Sequence, residues 1–228
     1  MISDEARRFY STPGPLTGFA LDEPLLVGIS GGPVELRALV SQSLLHPAWA
    51  GAYGQPLSGA RSAEQEIRSA AVMARVLWVR SPLPLEESRS LEHRAVGTCR
   101  NFTVLHVALL RHVGVAARAR CGFADYFEKG KWVDHWVAEY WSDEHARWVQ
   151  VDAQLDDFQM KSIGVSWSPD DLPAGAFLSG GECWSQIRAG AIDPLTCGIF
   201  DVGRLVCSIK RCVRSRRLKN EYVVSLSK

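Results

Sequence analysis

The sequence lacks the features that mark several large classes of protein. None of its 228 residues fall in an uninterrupted apolar run of roughly 18, the length of a transmembrane helix, so we expect no membrane span. Its six cysteines form no C-x-x-C pair, and neither H-E-x-x-H nor a glycine-rich loop ending in Lys-Ser or Lys-Thr occurs. A zinc site and a phosphate-binding loop are therefore not indicated.

The beginning of the chain lacks the apolar core of a secretory signal. Residues 1–8 are mostly charged or polar and are followed closely by Pro13 and Pro15. We therefore expect a cytoplasmic protein whose cysteines are reduced.

The formal net charge of +1 is the sum of two unlike parts. Residues 204–228 contain eight basic residues and one acidic residue, a net charge of +7, so residues 1–203 carry −6. This change predicts one domain over residues 1–203, with a catalytic core at about 62–158, and a basic tail over 204–228. Because no nucleic-acid-binding motif accompanies the tail, we expect no nucleic-acid partner.

Two helices are predicted from apolar spacing and capping residues. Ser62 and Gln65 form a capping-box pattern, which predicts a helix from Ser62 to about Arg80. A second apolar stripe predicts a helix from near Cys99 to Val113, with Gly114 at its C-terminal end. Residues 1–61 contain much proline and glycine, which indicates turns and short elements.

Strands follow the second helix. Residues 115–123 form a short, apolar segment bounded by Gly114 and Gly122, which predicts a strand. Residues 132–141 and 147–151 are rich in β-branched and aromatic residues, and 142–145 are typical of a turn. Between the first two strands, residues 126–131 indicate either a solvated loop or the rim of an active site. A helix followed by a strand and a hairpin predicts an α+β fold with helices packed on an antiparallel sheet.

Cys99 is distinguished from the other cysteines by its position at a helix N-terminus. Unpaired backbone N–H groups and the positive end of the helix dipole favour the thiolate there. A buried structural cysteine is the alternative interpretation. The backbone N–H of Cys99 is a candidate oxyanion donor, because the first turn of a helix leaves it without an intrahelical partner.

The hairpin contains a candidate general base. If residues 142–145 form the turn, residues whose numbers sum to 287 lie opposite each other, which places His135 opposite Asp152. The Asp152 carboxylate would then orient the His135 imidazole, which would deprotonate Cys99 and later protonate a leaving amine. Taken without Cys99, the His–Asp pair is equally consistent with a structural contact between strands.

These residues lie in segments that resemble motifs of the bacterial transglutaminase-like superfamily. The cysteine motif is matched by residues 97–101 and 109–118, followed by Gly122 and Phe123. The histidine and aspartate motifs are matched, in the same order, by residues 134–140 and 147–152. Ala116 and Ala153 stand where the family often has proline.

The resemblance implies a papain-like α+β fold, with the nucleophile on a helix packed on the sheet that carries His and Asp. It also implies acyl chemistry on an amide or peptide carbonyl, through a thioester, by a triad of Cys99, His135 and Asp152, without a metal or organic cofactor. The substrate would be a peptide, a protein or a small amide, and either hydrolysis or acyl transfer would follow. Two alternatives remain open: acyl transfer of the arylamine N-acetyltransferase type, and a non-catalytic peptide-binding domain of the same fold.

Overall fold

The computed structural model describes residues 2–20 and 23–199, so the predicted tail, with Cys207 and Cys212, lies outside the described residues. Its α-helices are α1 (Asp4–Ser11), α2 (Pro33–Ser43), α3 (Pro47–Ala50), α4 (Gly59–Ser62), α5 (Ala70–Arg80), α6 (Cys99–His112), α7 (Asp157–Ile163) and α8 (Gly180–Arg188). Its strands are β1 (Leu44–Leu45), β2 (Ala95–Val96), β3 (Ala117–Ala124), β4 (Trp132–Ser142), β5 (Arg147–Val151), β6 (Phe177–Ser179) and β7 (Cys197–Gly198). Short 3-10 helices cover Pro24–Leu26, Ala63–Glu66, Leu91–His93 and Pro194–Thr196.

The described residues divide into two compact units. The first contains residues 2–120 and 136–173, and the second contains 121–135 and 174–199. Strands β3 and β4 each contribute residues to both units.

Helix α6 is the centre of the first unit. Ten successive residues, Asn101–Leu110, are buried, and α1, α2 and α5 pack against the helix. Ala117 of β3 and Ala138 of β4 belong to the same apolar cluster as its side chains. The predicted start and end of this helix are confirmed, with Gly114 at φ +83° just beyond it. Helix α6 is therefore buried around its whole circumference, as expected for a central helix, and not along a single apolar stripe.

The helix predicted from Ser62 begins later than expected. Ser62 ends the short helix α4, and Ile67 has extended backbone angles. Ser69 is the N-cap of α5, where its Oγ accepts a hydrogen bond from the Val72 N–H at 3.3 Å. The predicted N-cap is therefore wrong, whereas the predicted end at Arg80 is confirmed.

The first 61 residues include a longer helix than the sequence indicated. Helix α2 has eleven residues, and Pro33 is its first. Proline fits this position because the first helical residue has no intrahelical N–H bond to lose. Leu36 and Val40 of this helix are fully buried in the cluster around α6.

The β4–β5 hairpin is confirmed, but its register differs from the prediction. Ser142 pairs with Arg147, and Ala138 pairs with Val151, so the paired residue numbers sum to 289. The turn is residues 143–146, one residue later than predicted, and Ala146 closes it at φ +49°. Ser142 stays in the strand, where its Oγ accepts a hydrogen bond from the His145 N–H at 3.2 Å.

In the first unit the strand order is β5-β4-β3, with β4 and β5 antiparallel. In the second unit β6 pairs antiparallel with β3, and β7 pairs parallel with β4. Gly122 lies where β3 and β6 approach closely, because a methyl group there would lie 2.0 Å from the Leu178 carbonyl oxygen. A small apolar cluster of this unit contains Cys183, Ile192 and Cys197.

The predicted fold class, helices with a mainly antiparallel sheet, is confirmed. Within residues 2–20 and 23–199, no helix combines the length and the apolar character that a membrane crossing requires.

Candidate active site

Cys99 is the first residue of α6 and is half-buried. Thr98 precedes it as the N-cap, with extended backbone angles. The first N–H groups of an α-helix have no carbonyl partner four residues earlier in the helix, and the helix dipole is positive at this end. The predicted location of Cys99 at a helix N-terminus is therefore confirmed.

The two residues after Cys99 fix the beginning of α6. Asn101 Nδ2 donates to the Ile67 carbonyl oxygen at 2.6 Å, and its Oδ1 accepts from the Thr98 N–H at 2.9 Å. Arg100 Nη2 donates to the Gln65 carbonyl oxygen at 2.9 Å. The segment that precedes α5 thus accepts hydrogen bonds from both residues, which holds the backbone of Cys99 in place.

Glycine is required directly before this turn. A methyl group at Gly97 would lie 2.6 Å from Asn101 Cβ, closer than two carbon atoms approach without displacement. A side chain at Gly97 would therefore displace Asn101, whose hydrogen bonds fix the helix start.

Asp152 follows β5 directly and is fully buried. Its Oδ1 accepts a hydrogen bond from the Gln154 backbone N–H at 2.9 Å, and its own N–H donates to the Pro169 carbonyl oxygen at 2.9 Å. This arrangement is an Asx turn, which fixes both the backbone and the carboxylate of Asp152. The Gln154 side chain donates in turn to Gln159 Oε1 at 3.2 Å.

His135 lies in β4 and is 2% exposed. The Phe127 ring packs edge-on against its imidazole with centroids 4.8 Å apart, and the Tyr126 ring does so at 6.0 Å. Tyr126 is buried and Phe127 is half-buried, whereas Glu128 to Gly130 are exposed. Of the two interpretations of residues 126–131, the solvated loop therefore holds only for the later residues.

The comparison with protein families places Cys99, His135 and Asp152 within one matched segment. Residues 51–153 match the model of the transglutaminase-like superfamily. The match covers 103 of the 228 residues, less than half of the chain. All three sequence-predicted site residues lie inside the matched segment, in the order Cys, His, Asp.

Two solved structures are similar to this chain at low identity. One is the periplasmic domain of TgpA from Pseudomonas aeruginosa, at 17% identity and a TM-score of 0.30, over 71% of this chain and 50% of that one. The other is a candidate cysteine protease from Cytophaga hutchinsonii, at 16% identity and a TM-score of 0.26, over 76% of this chain and 51% of that one. The chain therefore spans about half the length of each. The comparison with curated proteins gave no match.

The register of the β4–β5 hairpin corrects one geometric prediction. If the observed pairing is extended by one residue, position 152 lies opposite Val137 and not opposite His135. His135 lies three residues before Ala138, and Asp152 directly follows the Ala138 partner Val151. The predicted register, in which opposed residue numbers sum to 287, is therefore wrong. Val137 to Glu139 are all buried, so both faces of β4 are covered at this point.

Sequence reasoning missed three residues that support the site residues. Asn101 fixes the start of α6, Gln154 holds the Asp152 carboxylate through its backbone, and Phe127 packs on the imidazole. For two of these residues, the sequence contains a local pattern that could have identified them. Asn101 occupies the N3 position of a helix that begins after Thr98, and Gln154 stands two residues after an aspartate that ends a strand.

Proposed function

We propose that Cys99, His135 and Asp152 form a catalytic triad that performs acyl chemistry on an amide or peptide carbonyl through a thioester. The observation that carries this proposal is the placement of Cys99 at the first position of α6, within a matched transglutaminase-like core that also contains His135 and Asp152. The match to the superfamily model supports a cysteine-protease-like fold, and the proposed triad would give that fold an acyl-transfer or hydrolytic reaction.

The nucleophile is the Cys99 thiolate. Its position beside unpaired N–H groups favours the negative charge, and its partial exposure gives a substrate access. The N–H of Cys99 is the proposed donor to the oxyanion that develops when sulfur attacks the carbonyl carbon. The hydrogen bonds of Arg100 and Asn101 hold this N–H in a fixed direction before substrate binds.

His135 is the proposed general base and acid. It takes the thiol proton, and it returns a proton to the leaving amine when the C–N bond breaks. The Phe127 and Tyr126 rings limit the rotation of its imidazole. Asp152 is the proposed orienting carboxylate, and the Gln154 N–H holds one of its oxygens and so limits its rotation.

The thioester is then resolved by water or by an amine. Attack by water gives a carboxylic acid, and attack by an amine gives a new amide. In both cases His135 removes a proton from the attacking group, and Cys99 leaves as a thiolate. Product analysis of an amide and peptide library, with and without an added primary amine, distinguishes the two outcomes.

Thiol reactivity tests the proposal without a known substrate. We expect iodoacetamide to alkylate Cys99 at pH 6–7 about fivefold or more faster than Cys121, because the proposed base His135 would accept the thiol proton of Cys99. Cys121 is a matched reference because it is the more exposed of the two. Rates are obtained by mapping the modified cysteines by mass spectrometry over a pH series.

Variants of the base and of its orienting group complete this test. His135→Ala should lower the Cys99 alkylation rate and leave that of Cys121 unchanged, and Asp152→Asn should act in the same direction. Equal rates for Cys99 and Cys121, or a Cys99 rate unaffected by His135→Ala, would show that the thiol is not activated and would favour a non-catalytic binding domain.

A further inference from the structure

A pair of buried thiols lies in the second unit, apart from the residues proposed for catalysis. Cys183 on α8 and Cys197 on β7 are both fully buried, and their Sγ atoms lie 3.9 Å apart. A disulfide bond is about 2.05 Å long, so bonding requires the two sulfur atoms to approach by about 2 Å. Among the described residues, no further His, Cys, Asp or Glu completes a metal-ligating group around them.

We propose that Cys183 and Cys197 are an oxidation site at which a reversible disulfide forms. The co-reactant is a low-molecular-weight disulfide such as glutathione disulfide. One cysteine thiolate attacks it, a mixed disulfide forms, and one glutathione leaves as a thiolate. The second cysteine thiolate then attacks the protein sulfur of the mixed disulfide and displaces the second glutathione. The two protein protons pass to the two glutathione thiolates, so the cysteine pair loses two electrons and glutathione disulfide gains them.

The surroundings of the pair set the rate of this exchange. Burial and the neighbouring Cys197 raise the pKa of Cys183 to about 12, which keeps it as a thiol at neutral pH. Exchange therefore requires a local opening that admits the reagent and water. The pair should oxidise more slowly than the exposed Cys121 forms a glutathione adduct.

The position of the pair gives the disulfide a structural consequence. The two cysteines are 14 positions apart, so the bond closes a short loop that contains the C-terminal half of α8. Cys197 also pairs with Trp132 at the beginning of β4, three residues before His135. The disulfide would thus connect α8 to the strand that carries the proposed base. Closing a loop of this length restricts the unfolded chain and stabilises the fold.

The test is a glutathione redox titration of the full chain. Samples equilibrated in mixtures of reduced and oxidised glutathione are quenched with acid, alkylated with N-ethylmaleimide and digested with trypsin. Cys183 falls in the tryptic peptide 162–188 and Cys197 in 189–204, so a link between them appears as one joined mass. We expect this joined peptide to predominate at high oxidised glutathione and to disappear with dithiothreitol.

Stability gives a second readout with matched controls. Oxidation should raise the midpoint of thermal unfolding by about 5 to 10 °C in the parent chain and in Cys121→Ser, but not in Cys183→Ser or Cys197→Ser. If the serine variants fail to fold, the peptide map of the parent chain still shows whether the disulfide between Cys183 and Cys197 forms. Glutathione adducts without the joined peptide, links mainly to other cysteines, or unmodified thiols at high oxidant would each overturn the proposal.

Discussion

At the residue scale, His106 is unusual because it is a titratable side chain buried in the apolar core. It is fully buried in the middle of α6, and its Nε2 lies 3.2 Å from the Pro33 carbonyl oxygen. Because a carbonyl only accepts, Nε2 carries the proton, and Nδ1 has no hydrogen-bond partner among the described residues. A buried ring with one unsatisfied nitrogen is kept neutral, and burial lowers the pKa of His106 to about 4.

This pKa predicts a loss of stability in mild acid. The unfolded chain binds a proton at His106 below about pH 6.5, whereas the folded chain does so only near pH 4, so acid favours unfolding between these values. Between pH 7 and pH 5 the parent chain should lose about 2 kcal/mol more than His106→Gln, in which the amide Nε2–H replaces the donor to Pro33. Urea unfolding at the two pH values measures this difference. Parallel pH profiles for the two proteins would contradict it.

At the element scale, the difference between predicted and observed boundaries has identifiable causes. Ser62 and Gln65 form a capping-box pattern, whereas Ser69 is followed at the N3 position by Val72, which has no side-chain acceptor. The real cap therefore carries the weaker sequence signal. The carbonyl groups of Gln65 and Ile67 accept hydrogen bonds from the beginning of α6, which an isolated helix pattern does not encode.

The hairpin register has a similar cause. Its shift by one residue in the turn depends on Ala146 at φ +49°, a conformation for which glycine or asparagine is the usual signal. The content of β-branched and aromatic residues identified both strands, and the bounds of β5 agree with the prediction. The helix that begins at Cys99 was predictable because a long apolar repeat and a terminal glycine agree. The ring contact of Phe127 with His135 was not predictable from the sequence, because it joins a loop to a strand.

The two candidate caps of α5 allow a direct comparison. Ser69→Ala removes the acceptor for the Val72 N–H and should cost about 1 kcal/mol in the free energy of unfolding. Ser62→Ala removes only a bond from its Oγ to the Ser58 carbonyl oxygen, on a short helix, and should cost less than about 0.5 kcal/mol. Denaturant midpoints of the two variants, measured beside the parent chain, test this order. Equal costs would mean that the cap at Ser69 is not the one that stabilises α5.

At the scale of the whole molecule, the charges are segregated along the sequence. Residues 1–203, which include the matched core and all three proposed catalytic residues, carry −6, while residues 204–228 carry +7. A cationic segment close to Cys99 would stabilise its thiolate and speed alkylation, most strongly at low salt. At an ionic strength of 0.15 M this effect would extend only about 8 Å from each charge. Thiol reactivity therefore reports whether the basic segment acts on the proposed site.

We expect deletion of residues 204–228 to leave the alkylation rate of Cys99 unchanged, because α6 and the residues that fix its start all precede the deleted segment. Rates for the full and the shortened chain are compared at 10 mM and 150 mM salt, with Cys121 as the internal reference. A slower Cys99 in the shortened chain, with a larger difference at 10 mM salt, would show that the basic segment contributes positive potential at the site. A shortened chain that loses its cooperative thermal transition would instead show that these residues belong to the folded core, which would place the domain boundary beyond residue 203.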